Sequence, residues 1–111
     1  MNRLPNATGE SMIDEAKIVE VLKTVYDPEI PVDIYELGLI YSINIKEDNY
    51  IHIVMSLTSP NCPAAESIPV EIKNKLGALP GVEHVRVEIV WDPPWNPDMM
   101  SEVAKLELGY L

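Results

Sequence analysis

Cys62 is the only cysteine of the chain, and it lies in the segment TSPNCP, residues 58–63. An alternating apolar segment precedes it and a helix-like segment follows it. Proline is favoured at the first helical position, so Pro63 predicts a helix start with Cys62 as the N-cap. The positive end of a helix dipole favours thiolate over thiol, which would make Cys62 reactive. The alternative is a small, buried and unreactive side chain in a turn.

Acidic side chains form the second candidate group. The stretch 27–38 is broken by prolines and is long for a connection in a small domain, which is typical of functional loops. Its carboxylates could approach Cys62 if the first helix lies beside the second, and the Thr58 hydroxyl could donate to a thiolate. These acidic side chains are Asp27, Glu29, Asp33 and Glu36, and the stretch 27–38 is called the acidic loop below. A metal role and turn contacts are both open for Asp27 and Asp33.

The remaining candidates are two histidines and a tryptophan. His52 and His84 fall on the outward faces of predicted strands, so we expect both to be solvated and not to be ligands. Trp95 lies in a proline-rich loop and could either cover Cys62 as a lid or close the core; the pattern favours the core. The sequence has no phosphate-binding glycine loop, HExxH pair, GxSxG elbow or CxxC pair, so it lacks the signatures of those enzyme classes.

The composition sets limits on the fold and the partners. The chain has 111 residues, of which 47% are hydrophobic, and this length fits one domain at residues 11–111 after a disordered lead at 1–10. Eighteen acidic against eight basic residues give a net charge of −10. That charge disfavours nucleic acid and anionic membrane surfaces, and it suits metal cations and basic protein surfaces. No apolar stretch reaches the roughly 18 residues of a membrane span.

Apolar periodicity predicts the elements that position these groups. A capping box at 11–14 opens a helix with one apolar stripe, which should end at Asp27 before Pro28. Residues 39–46 and 50–57 alternate as a hairpin, and residues 63–76 form a second helix that Pro69 should kink or restart. A third strand should point Val85, Val87, Ile89 and Trp91 inward. Asn96 and Pro97 should begin one last short helix through Met100, Val103, Ala104 and Leu106.

The element order α-β-β-α-β-α predicts an α+β fold. We expect a compact two-layer sandwich in which a small mixed sheet carries the helices on one face. The second strand, second helix and third strand form a crossover unit. The second and third strands should therefore run parallel to each other.

With these residues in place, the chain resembles the SufT/PaaD-like iron–sulfur cluster assembly domain family over roughly residues 12–108. The resemblance rests on four segments in order, and their combination at these separations is highly specific. The segments are VYDPE (25–29) with LGLIY (37–41), LT (57–58) through NCPA (61–64), LPGV (79–82), and WDPPW (91–95).

The resemblance implies a fold similar to the NifU C-terminal domain and a cytoplasmic, non-enzymatic role in maturing iron–sulfur proteins. It implies scaffold or carrier proteins and client apoproteins as partners. The family's reactive cysteine falls on Cys62, and its companion polar positions fall on Asp27, Glu29 and Thr58.

Ligand counting then limits the role of Cys62. Iron–sulfur clusters are held by four ligands, mostly thiolates, and this chain supplies one. We therefore expect no resident cofactor. Three arrangements are open: two copies of Cys62 meet in a homodimer, a partner or small thiol completes the ligand shell, or Cys62 contacts iron or a cluster only in transit. The competing function is an interaction subunit that docks on the assembly machinery or a target enzyme and binds no metal.

Overall fold

The computed structural model describes residues 13–28, 30–58 and 64–109. The elements in chain order are α1 (Glu15–Leu22), β1 (Ile40–Lys46), β2 (Tyr50–Met55), α2 (Ala64–Gly77), β3 (His84–Ile89) and α3 (Glu102–Glu107). This order confirms the predicted α+β class. The expected lead at 1–10 lies outside the described residues. Within the described ranges, no helix has the length and apolar content needed to cross a bilayer.

The sheet has the order β1-β2-β3 and is mixed, as predicted. β1 and β2 are antiparallel, and the turn between them places Asp48 and Asn49 at positive φ. β2 and β3 run parallel in unbroken register from Tyr50 opposite His84 to Met55 opposite Ile89. The parallel pairing follows from the α2 crossover, which carries the chain back to the starting end of the sheet.

The core lies between the helices and one face of the sheet. Its fully buried side chains come from the predicted helical stripes and from alternate positions of β2: Ile18, Leu22, Ile51, Ile53, Met55, Ile72 and Leu76. Burying such a side chain contributes about 1.5–3 kcal/mol. An isolated helix as short as α1 is marginal in water, so α1 depends on this packing.

The ends of α1 differ from the prediction. Asp14 caps the helix by accepting the Ala16 N–H at 2.9 Å, whereas the predicted capping residue Ser11 lies outside the described residues. The helix ends at Leu22, five residues before Asp27. Val25 is nevertheless fully buried, because the irregular chain after α1 continues along the core.

Pro69 does not divide α2, which is one helix from Ala64 to Gly77, so of the two expected effects the restart is absent and the kink stays a prediction. Proline removes one backbone hydrogen bond, here the bond to the carbonyl of Ala65, and the loss falls near the start of the helix. The predicted cap and first residue, Cys62 and Pro63, lie outside the described residues.

The predicted last helix is two elements. Asn96 caps a 3-10 turn at Pro97–Met99 by accepting the Asp98 N–H, as expected. Ser101 then caps α3 separately by accepting the Ala104 N–H. Val103 and Leu106 lie in α3 as predicted, and both side chains are exposed.

Trp91 was also predicted to point inward, and this is wrong because 47% of it is exposed. β3 ends at Ile89, so the alternation of the strand does not extend to Trp91.

The irregular segment between α1 and β1 is held by hydrogen bonds to residues that follow β3. Trp95 Nε1 donates to the carbonyl of Leu37 at 2.7 Å, and the Ser101 N–H donates to the carbonyl of Glu36 at 2.8 Å. Gly38 has a φ of +80° and packs against the Met99 carbonyl so closely that a Cβ would overlap it. Glycine is therefore required at position 38 both for its backbone angle and for the space.

We expect Gly38→Ala to lower the free energy of unfolding by about 3 kcal/mol or more, the sum of a left-handed backbone penalty and overpacking. Urea denaturation of the purified variant measures this. A loss near zero would show that the segments tolerate separation at Met99.

Two glycines serve as matched controls. Gly109 has a φ of +83° with open space around its Cβ position, so Gly109→Ala should cost only about 1 kcal/mol. Gly77 ends α2 with nothing within 4 Å, so Gly77→Ala should be neutral or stabilising by up to about 1 kcal/mol. The difference between Gly38→Ala and Gly109→Ala isolates the contact with Met99.

Candidate functional site

Asp27 and Thr58 meet where β2 leads into the segment that carries Cys62. Thr58 Oγ1 donates to Asp27 Oδ2 at 3.4 Å, a long hydrogen bond between residues 31 positions apart. Asp27 is only 3% exposed. A buried carboxylate is costly unless it has polar partners, so the contact with Thr58 helps to hold it there. The predicted approach of the acidic loop to this end of the sheet is thus present, while Cys62 itself lies outside the described residues.

The direction of this hydrogen bond limits what Thr58 can do. A threonine hydroxyl has one proton to donate and two lone pairs that accept. Because the proton of Thr58 points to Asp27, Thr58 can donate to a thiolate only by giving up that contact. In the arrangement seen here, Thr58 is a polar group positioned by Asp27.

The Asp33 carboxylate accepts hydrogen bonds from the backbone of its own turn. Its Oδ2 accepts the N–H groups of Tyr35 at 3.0 Å and Glu36 at 2.9 Å, and its main chain forms an isolated β-bridge with Tyr26. Burial raises the pKa of the Asp33 carboxyl above its ordinary value of 3.8, and the two N–H donors oppose that rise. Of the two readings that the sequence left open for Asp33, the geometry matches the turn contact.

Glu36 contacts two residues outside the acidic loop, Ser101 and Lys23. A hydrogen bond from the Ser101 hydroxyl lowers the pKa of Glu36, and the Lys23 ammonium at 3.3 Å lowers it further. This carboxylate therefore links the acidic loop to α3 and to the end of α1. Glu29, the other predicted companion of Cys62, lies outside the described residues.

Trp95 is partly buried and packs against the core. Its indole N–H is held by the Leu37 carbonyl, so the ring closes the core beneath the loop. Whether it also covers Cys62 as a lid stays a prediction.

The two histidines were predicted to be solvated, and this is right for His84 and wrong for His52. His84 is exposed, with its ring 5.9 Å from that of Tyr50. His52 is not a solvated side chain: it is 14% exposed, and its Nε2 lies 3.0 Å from Glu88 Oε1. The parallel pairing of β2 with β3 brings the two side chains together. In the part of the chain that the structure describes, no three His, Asp or Glu side chains are grouped to hold a metal ion.

Ser56 is a polar residue that sequence reasoning missed. It is fully buried, and its Oγ has no hydrogen-bond partner among the described residues. A buried hydroxyl left without a partner costs about 1–3 kcal/mol. The available signal was a serine between Met55 and Leu57 at the end of an apolar strand, two positions before Thr58.

Comparison with known proteins gives a consistent picture. A family model described as "Iron-sulfur cluster assembly protein" matches residues 15–89. The "Fe-S protein maturation auxiliary factor" of Porphyromonas gingivalis is 48% identical over 103 residues, which cover 93% of this chain and 98% of the relative. The "Fe-S protein maturation auxiliary factor SufT" of Staphylococcus aureus is 42% identical over 85 residues, which cover 77% and 97%.

A solved structure is also similar. The crystal structure of a domain of unknown function, DUF59, from Bacillus anthracis superposes with a TM-score of 0.81 and 41% identity. The match covers 87% of this chain and 92% of that one. These findings confirm the resemblance and the fold class inferred from the sequence.

The raised pKa of Asp33 predicts a pH effect. A carboxyl whose pKa is higher in the folded state contributes stability that is present below its unfolded value and lost as pH rises through the folded value. Asp33→Asn keeps an oxygen for the Tyr35 and Glu36 N–H groups and removes the charge. We therefore expect this variant to gain stability relative to the parent chain as pH rises from below 3.8 to neutral. Urea denaturation across this pH range measures the difference.

Asp33→Ala is the comparison for that experiment. It removes both the charge and the acceptor, so it should be less stable than Asp33→Asn at every pH. A pH-independent difference between the parent chain and Asp33→Asn would contradict the assignment.

Trp95 allows the lid and the core roles to be separated. Trp95→Phe removes the N–H bond to Leu37 and should lower the free energy of unfolding by about 1 kcal/mol. The exposed Trp91 gives the matched control, and Trp91→Phe should change stability little.

Alkylation of Cys62 provides the second readout. If Trp95 is a lid, Trp95→Ala should speed alkylation under native conditions, and an unchanged rate would leave Trp95 with the core role alone.

Proposed function

Since the chain belongs to the iron–sulfur cluster assembly protein family, we propose that it is an auxiliary factor in iron–sulfur cluster assembly or in cluster transfer to client proteins. The family match and the names of the two relatives support this role. In the proposal, the chain acts through Cys62 and is not an enzyme.

The observation that carries the proposal is the contact between Thr58 and Asp27. The family resemblance assigns companion positions to both residues, and they lie far apart in the sequence. The fold brings them together at the entry to the Cys62 segment, four positions before the cysteine. Asp27 and Thr58 are thus proposed to position the polar surroundings of Cys62.

The proposed chemistry is ligand exchange at iron. The Cys62 thiolate replaces one ligand of a cluster or iron ion that is being delivered, and a thiolate of the client then displaces Cys62. No oxidation or reduction is needed, and the proton of each incoming thiol passes to the ligand that leaves or to solvent. Because one thiolate cannot fill a four-ligand shell, the cluster is cargo held jointly with a partner or a small thiol.

The proposed partners are scaffold or carrier proteins and client apoproteins, in the cytoplasm. The net charge of −10 favours partners with basic contact surfaces and speeds their encounter at low salt.

A docking subunit that never contacts iron is the second candidate. It is favoured by apolar side chains on the outer faces of the helices: Val70 on α2 is 56% exposed, and Val103 and Leu106 on α3 are 57% and 62% exposed. Val70 lies in an open groove beside Glu66 and Glu71. Contiguous exposed apolar patches rimmed by polar groups are typical of protein contact sites, so the docking candidate requires these side chains to form such a patch.

We expect Cys62→Ser to abolish the maturation of an iron–sulfur client enzyme in cells that depend on this protein. Asp27→Asn and Thr58→Val should reduce it, because they weaken the pair that positions the site. Client activity is measured together with client protein level and with the folding of each variant. Asp14→Asn makes the same chemical change as Asp27→Asn at an exposed helix N-cap, a position that asparagine suits as well as aspartate, and it should behave like the parent chain.

Full maturation with Cys62→Ser would instead support the docking candidate. Anaerobic reconstitution with iron and sulfide adds a direct test. A cluster bound to the isolated chain should be lost on desalting, and a cluster that persists there would rule out the transit role.

A further inference from the structure

The outer edge of β3 presents backbone groups without a partner in the described structure. The Val90 N–H donates to the Met55 carbonyl at 2.8 Å, which fixes the phase of the parallel ladder. In such a ladder, alternate residues of a strand bond to the same neighbour. The even-numbered residues of β3 therefore bond to β2. The N–H and C=O groups of Val85, Val87 and Ile89 point away from the sheet.

The two edges of the sheet are protected to different degrees. β1 has a register shift between Ile40 and Ser42 and ends on Lys46, and both features discourage pairing with another strand. β3 is paired with β2 in unbroken register over its whole length and contains no proline, glycine or lysine. Its edge is therefore the one open to a further strand.

The sequence of β3 is complementary to itself in the antiparallel direction. With Val87 opposite Val87 of a second copy, Val85 lies opposite Ile89 and Arg86 lies opposite Glu88. The pairs that contain Val85, Val87 and Ile89 are the ones whose free backbone groups face each other, and each such pair exchanges two hydrogen bonds. The opposite charges of Arg86 and Glu88 pair twice, because the arrangement has a two-fold axis.

We propose that this edge pairs with β3 of a second copy of the chain, which joins two three-stranded sheets into one continuous sheet. Val85, Val87 and Ile89 are only partly buried in the single chain, and the added strand would cover more of them. The proposal concerns assembly and does not depend on the proposed function.

The expected dimer is weak. A single strand pair buries little area compared with a stable protein interface, and two copies with a charge of −10 each repel one another. The dimer should therefore form at high protein concentration and dissociate on dilution. Moderate salt should strengthen it by screening the net charge.

Sedimentation velocity over a dilution series, with a reducing agent present, tests the proposal on the full chain. The parent chain should shift from dimer to monomer, and Cys62→Ser should behave alike, which excludes a disulfide dimer. Arg86→Glu should weaken the dimer about tenfold, since it replaces two attractive charge pairs by repulsive ones. Adding Glu88→Arg to Arg86→Glu should restore the dimer.

Matched controls lie on the other edge. Lys46→Glu changes the net charge as Arg86→Glu does, and it should leave the dimer intact apart from a small effect of charge. Val87→Pro removes an N–H that faces outward and should abolish the dimer while the circular dichroism of the chain is retained. Ile45→Pro makes the equivalent change on β1 and should retain the dimer.

The pairing has a spectroscopic signature. In a mixture of isotope-labelled and unlabelled chains, nuclear Overhauser contacts should connect the Hα atoms of Arg86 and Glu88 of different copies, as in any non-hydrogen-bonded antiparallel pair. A chain that stays monomeric at all concentrations would overturn the proposal. So would a dimer that lacks these contacts or that Lys46→Glu weakens as much as Arg86→Glu does.

Discussion

The close fit of Gly38 against the Met99 carbonyl is the constraint on which the rest of the fold depends. It joins the irregular segment after α1 to the chain that follows β3. Val32, Ile34 and Leu37 make that segment part of the core. Buried backbone groups in an irregular segment need partners, and Trp95 and Ser101 donate to two of its carbonyls. The acidic loop is therefore held in place by residues from the far end of the sequence.

This constraint explains why Asp33 and Glu36, two of the described carboxylates of the acidic loop, are held by neighbouring groups. Asp33 is used by the turn that shapes the loop, and Glu36 is used by Lys23 and Ser101. Each of these contacts stabilises the loop and removes a charge from competition for a metal ion. Asp27 is the carboxylate that the loop directs toward Thr58. The loop thus mainly positions the buried carboxylate of Asp27 beside Thr58.

Apolar periodicity in the sequence predicted the buried faces of the helices and strands, because these faces depend on local pattern. The stripe that contains Ile18 and Leu22 and the alternation through Ile51 and Ile53 identified the core, because each element turns a repeat into one buried face. Element ends were less predictable, as at α1 and around α3, since tertiary contacts decide where a helix stops. The contact between Asp27 and Thr58 could not be derived from spacing alone, because it depends on how α1 packs against α2.

The polar groups at the end of β2 have a physical reason to be there. Ligand sites in sheets with parallel strands tend to form beyond the carboxyl ends of those strands, where a loop leads into the next helix. β2 is such a strand, and the chain passes from it through residues 59–63 into α2. Ser56 and Asp27 are buried at this end, and burial of polar groups costs stability that an apolar pair would not. Under the proposed role of Cys62, these buried polar groups serve the segment that follows β2, at a cost in stability.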